Sequence, residues 1–111
     1  MLSGEAQAKR AADSERQIKQ LKDKRREVRR RIILTCNEIT KIIKRVGTRT
    51  SLNCLVVQAE ELLLRSSKLN DQICAFKDMV DTVREFQSQL DYQRAVQDAK
   101  DDVLNYTREL F

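Results

Sequence analysis

Three cysteines, Cys36, Cys54 and Cys74, are the most reactive side chains in the chain, and they stand 18 and 20 residues apart. That spacing holds no Cys-x-x-Cys pair, and an odd number of thiols closes no disulfide framework. The chain contains no His, which excludes Ser-His-Asp and Cys-His catalysis and any His-containing zinc site. Gly4 and Gly47 are its only glycines, so neither a P-loop nor a dinucleotide-binding loop exists. The thiols are therefore expected to be reduced packing residues, with no metal, no cofactor and no small-molecule substrate. The chain is expected not to be an enzyme. Unpaired thiols point to a reducing compartment, cytoplasm or nucleus.

The other chemistry on offer is positive charge. Residues 1–50 hold 15 Lys/Arg against 6 Asp/Glu, whereas residues 51–111 hold 7 against 11. Nine cations and two acids fall between Arg16 and Arg31 (RQIKQLKDKRREVRRR). Lys22, Lys24, Arg26, Arg29, Arg30 and Arg31 are the candidate ligands for anions, either the phosphates of RNA or DNA or an anionic membrane surface. Asp23 and Glu27 dilute this patch through i,i+3 and i,i+4 pairs. No aromatic interleaves with the basic residues, so there is no stacking platform for single-stranded bases. The bland alternative is a solvated face that also neutralises the acidic second half.

The elements carrying these residues follow from a chain of 111 residues with no Pro, 35% charged residues and five aromatics. Little in it interrupts a helix, and no apolar run approaches the ~18–20 residues of a membrane span. The N-terminus lacks the apolar stretch of a signal peptide. In the first half Ile18, Leu21, Val28, Ile32, Ile39, Ile42 and Val46 alternate by three and four, predicting a helix over about 5–46. Gly47 is expected to end it in the left-handed conformation, with Lys44 and Arg45 in the last turn. Thr48, Thr50 and Ser51 are candidate caps for the next helix. Six apolar positions at seven-residue steps (Leu55, Leu62, Leu69, Phe76, Val83, Leu90) predict a second helix over about 52–89. The frame then slips. Tyr92, Val96, Ala99, Val103, Tyr106 and Leu110 predict a third helix over about 91–110, capped by Ser88 or Asp91.

The fold class is all-α: one domain over 1–111, a long antiparallel helical hairpin of coiled-coil type with a turn at 47–51 and a shorter third helix. Opposed a and d positions pair Val46 with Leu55, Ile39 with Leu62, Ile32 with Leu69 and Ile18 with Val83. The same register sets Thr35 against Ser66 and lays Arg25 over Phe76. A two-helix seam leaves apolar residues over at the bend end. Ile33, Leu34, Ile43, Val56, Leu63 and Leu64 are therefore candidate self-association residues, covered either by the third helix or by a second chain, with a dimer as the minimal unit.

A basic helix (LKDKRREVRRRIILTCNEITKII), a short break, a leucine-rich helix (LNCLVVQAEELLLRSSKLNDQICAFKDMVDTV) and a final segment ending DVLNYTREL resemble the N-terminal helical region of Gag-like polyproteins of Bel/Pao-type LTR retrotransposons. The likeness spans residues 18–110. It implies a non-enzymatic assembly domain whose helices bring chains together and whose basic helix meets RNA or membrane. No capsid, zinc-knuckle or protease motif is present to carry over. The alternatives from other classes are a sequence-nonspecific nucleic-acid-binding module and a cytoskeletal or trafficking spacer.

Overall fold

With no Pro and two Gly, the backbone meets few obstacles to helix, and the computed structural model, which describes residues 4–76 and 79–110, is all-helical among them. Three helices follow one another: α1 (Gly4–Lys44), α2 (Arg49–Cys74) and α3 (Met79–Leu110). Every pair of helices is in contact. The molecule is a rod of 71 × 21 × 15 Å.

The end of α1 is a Schellman turn: the Gly47 amide donates to Ile42 O at 2.9 Å and the Val46 amide to Ile43 O at 3.1 Å. The left-handed residue of that turn is Val46, at φ 55°, and not Gly47. The glycine serves close approach instead, since a Cβ there would stand 2.2 Å from Ile42 Cγ2. Thr48 caps α2, its hydroxyl accepting from the Ser51 amide at 3.2 Å. Tyr106 ties α3 to this corner by donating its hydroxyl to Gly47 O at 2.8 Å.

The second break falls where composition gives no sign of it. α2 stops at Cys74 rather than near 89, and α3 begins at Met79 rather than near 91. Ser88 and Asp91, expected as caps, lie within α3. The run of apolar seven-residue steps is therefore divided: Leu55, Leu62 and Leu69 lie on α2, Phe76 in the turn after it, and Val83 and Leu90 on α3. Its later members Phe76, Val83 and Leu90 are 44%, 53% and 46% exposed.

Two apolar clusters form the core, each drawing on all three helices. Ile39, Leu52, Ala99 and Val103 make the first, with Cys36, Ile42, Ile43, Leu55, Val56 and Tyr106 against it. Ile32, Ala59 and Val96 make the second, flanked by Val28, Leu62, Leu63 and Tyr92. Full burial of an Ile or Leu stabilises the fold by roughly 1.5–3 kcal/mol. Ala59 and Ala99 keep the helices close. The third-helix positions Tyr92, Val96, Ala99, Val103 and Tyr106 face this core as the spacing predicts; the Leu110 side chain lies outside the described residues.

The expected pairing of α1 with α2 is displaced. Val46 is 70% exposed and so does not cover Leu55. Ile39 clusters with Leu52 rather than Leu62, and Ile32 with Ala59 rather than Leu69. The Thr35 hydroxyl donates to Arg31 O within its own helix, not to Ser66.

Candidate functional site

Next to the second apolar cluster the inward positions turn polar: Ser66 on α2 and Gln89 on α3, each seven residues from Ala59 and Val96, and Arg29 on α1, three residues from Ile32. Arg29 is 8% exposed, Ser66 0%, Gln89 4% and Asn70 1%. The Arg29 guanidinium donates to Ser88 Oγ at 3.0 Å, to Gln89 Oε1 at 2.9 Å and to Ser66 Oγ at 3.4 Å. Its carbon lies 4.6 Å from the centre of the Tyr92 ring, in cation–π range. Ser66 Oγ also donates to Gln89 Oε1, at 2.8 Å. A turn away, Arg25 donates to Asn70 Oδ1 at 2.8 Å and is ion-paired with Glu85.

Burial, together with the neighbouring Arg25 charge, pulls the Arg29 guanidinium below its ordinary pKa, while Tyr92, Glu85 and Asp91 oppose the shift. An arginine stays charged under any such shift. The layer therefore holds a buried cation by hydrogen bonds to neutral groups. Among the described residues two amide nitrogens, Asn70 Nδ2 and Gln89 Nε2, have no partner. Rotating the Gln89 amide would set its NH₂ against the Arg29 donors, so its orientation is fixed by the guanidinium.

The expected anion-binding set separates on this frame. Arg29 is withdrawn into the core and is no surface ligand, because its helix position faces both α2 and α3. Arg30 and Arg31 share Glu27, at 2.7 and 3.5 Å, and Arg26 lies 3.8 Å from Asp23. The Arg30 guanidinium bonded to Glu27 holds that carboxyl below its ordinary pKa, and Glu27 in turn raises that of Arg30. Lys22 is half-buried, whereas Lys24 is exposed.

Lys24 and Arg31 face α2 across a groove, with Arg65 and Lys68 on the opposite bank and Val28 and Leu69 between them. Arg65 and Lys68 were not legible as a site. The only signal is two cations three residues apart (RSSK) in a half of the chain that is otherwise acidic.

The expected self-association set also divides. Ile43, Val56 and Leu63 pack against the core clusters and are spent within the chain, because α3 lies over them. Ile33, Leu34 and Leu64 remain 42%, 52% and 56% exposed. Leu34 borders the α1–α2 groove. Further exposed apolar residues lie on α3, where Val83, Phe86, Leu90 and Leu104 are about half exposed.

Among the described residues none of the three cysteines is joined in a disulfide. Cys54 is exposed, and Cys36 is half-buried with its Sγ 3.7 Å from Ala95 O. Burial pushes the Cys36 thiol above its ordinary pKa. Among the described residues no group of three or more His, Cys, Asp or Glu is placed to hold a metal ion, and no helix is long and apolar enough to cross a membrane. No family model, curated protein or solved structure matches the chain.

Proposed function

We propose that this chain is a non-enzymatic assembly module that self-associates, with a dimer as the minimal unit, through an apolar face shared by α2 and α3. The observation that carries the reading is the stripe Val83, Phe86, Leu90 and Leu104 on α3, with Val57 and Leu64 on α2, each between 46% and 56% exposed. Val83, Leu90 and Leu104 recur at multiples of seven residues and so share one side of their helix. That side borders α2, since Leu104 and Gln97 line a groove with Asn53 and Val56. Scattered exposed apolar residues are ordinary, but Val83, Phe86 and Leu90 cluster over two turns and Leu104 continues their side past the polar Gln97, and a contiguous exposed apolar patch is the usual sign of an interaction surface.

An antiparallel α1–α2 hairpin of coiled-coil type, with α3 returning alongside, is the arrangement this reading uses. Its support lies in the paired residues. Arg25 meets Asn70 and Arg29 meets Ser66, so numbers rise on one helix as they fall on the other. Bonds between α1 or its closing turn and α3 keep a separation of 59 or 60 residues: Arg25 with Glu85, Arg29 with Gln89, Cys36 with Ala95 and Gly47 with Tyr106. The Gag-like resemblance implies the same kind of module.

Sedimentation equilibrium of the full chain from low to high micromolar concentration tests the proposal. The wild type is expected to dimerise, and the triple variant Leu64→Glu, Phe86→Glu, Leu90→Glu to remain monomeric with unchanged helicity. A wild type that stays monomeric at high micromolar concentration removes the self-association reading.

A further inference from the structure

The apolar face of the proposed dimer involves α2 and α3; the groove between α1 and α2 is a separate surface with its own chemistry. Its floor is apolar along its length, from Leu21 and Phe76 at one end, through Val28 and Leu69, to Leu62 and Leu34 at the other. Its central section, open to solvent, has a volume of about 470 Å³. From Gln17 to Thr35 it follows α1 for about 27 Å, by the helical rise of ~1.5 Å per residue, which is the length of a five-turn helix.

Both banks are cationic. Lys24 and Arg31 stand seven residues apart on α1, and Arg65 and Lys68 three apart on α2. All four are exposed. Arg31 has Glu27 at 3.5 Å, but among the described residues Lys24, Arg65 and Lys68 form no ion pair. Glu27 and Glu61 are the acids that line the groove.

We propose that this groove docks an amphipathic helix of a partner protein, with its apolar stripe on the floor and Asp or Glu on both flanks. The apolar floor decides against nucleic acid. A phosphate backbone would cover Val28, Leu69 and the 44% exposed Phe76 with charge and return nothing for their desolvation. The concave shape decides against a bilayer, which meets convex surfaces. A second copy of the chain brings no suitable helix, because the exposed apolar stripe of α3 has Arg84, Arg94 and Arg108 beside its acids. An acidic amphipathic helix matches the length, the floor and the charge together, as in other helix-in-groove recognition. The inference is independent of the dimer reading.

The test is fluorescence anisotropy with the full chain and a labelled eighteen-residue peptide. Its apolar residues follow the i, i+3, i+4, i+7 pattern and Glu occupies both flanks. A scrambled peptide of the same composition and a short RNA duplex are the comparison probes. The amphipathic peptide is expected to bind roughly tenfold or more tightly than its scramble, because only the ordered stripe covers the floor. Arg65→Glu with Lys68→Glu should weaken it by a similar factor, and a peptide with Lys flanks should bind this variant in preference to the wild type. Both residues are exposed and unpaired, so helicity and oligomer mass should not change. A lost dimer with intact peptide binding would count against the function proposed above and not against this groove. Equal binding of peptide and scramble, unchanged affinity in the reversed variant, or displacement of the peptide by the duplex would overturn the inference.

Discussion

Arg29→Ala is the sharpest probe of this molecule, because the same helix offers a control one residue away. The Arg29 guanidinium makes two bonds of 3.0 Å or less, to Ser88 and Gln89, and lies over the Tyr92 ring. Hydrogen bonds from a charged group contribute about 1.5–3 kcal/mol each. Removing a buried cation also relieves its desolvation, which returns part of that sum. Truncation further leaves Ser88 without this donor, Gln89 Oε1 with Ser66 alone, and a void where the arginine stem packed. A net loss of about 3 kcal/mol follows. At roughly 4–6 °C per kcal/mol for a domain of this size, the melting temperature should fall by about 12–18 °C. Arg30→Ala removes an exposed pair with Glu27 and should change stability by no more than about 0.5 kcal/mol. Urea titrations followed by circular dichroism at 222 nm, with the slopes compared, give both values. The triple replacement Arg29→Met, Ser66→Ala, Gln89→Leu, which makes the layer apolar, should recover much of the loss. Equal effects of Arg29→Ala and Arg30→Ala would refute the account of a buried polar layer.

Val46→Gly should stabilise the chain by about 0.5–1 kcal/mol, because a left-handed β-branched residue costs roughly 1–2 kcal/mol and glycine's extra freedom in the unfolded chain offsets only part of the relief; Val46 is 70% exposed and loses little packing. A lower melting temperature in that variant would contradict the strained turn. The thiols should react in order of access: with a maleimide near neutral pH, intact-mass analysis should find Cys54 modified first and Cys36 slowly, since Cys36 is half-buried and its thiolate disfavoured. The raised Cys36 pKa means that the folded state resists losing the proton. Its effect is therefore a loss of stability as pH climbs past the ordinary value of 9.0, and Cys36→Ala should flatten that alkaline decline.

How far the sequence could be read depended on whether the inward residues were apolar. The positions from Tyr92 to Tyr106 are legible as core-facing, because Val96, Ala99 and Val103 stand out against Gln97, Asp98 and Asp101. Extended toward the start of α3, the same side carries Gln89 and Glu85. These polar residues left no apolar trace of the helix. Val83 and Leu90, which face outward, continued the spacing of Leu55, Leu62 and Leu69 and made two helices look like one. The basic segment misled for a related reason. Among nine cations in sixteen residues, nothing in residue type separates Arg29, held in the core, from Arg30, exposed beside Glu27.

The sequence by itself determined that the chain is helical, where its first helix ends and that no histidine chemistry is available. These are properties of local backbone preference and composition: no Pro, two Gly, a three-and-four spacing and a threonine placed to cap. Tertiary structure alone decided the second break, the register of α1 against α2 and the inward turn of Arg25 and Arg29. It also decided which of the surplus aliphatic residues α3 covers. The physical reason is that a polar side chain can be buried only where partners from other helices meet its donors and acceptors. Ser66, Asn70, Glu85, Ser88 and Gln89 lie 37 to 60 residues from the arginines they receive. No periodicity within one helix reports such a match; it exists only once the three helices are side by side.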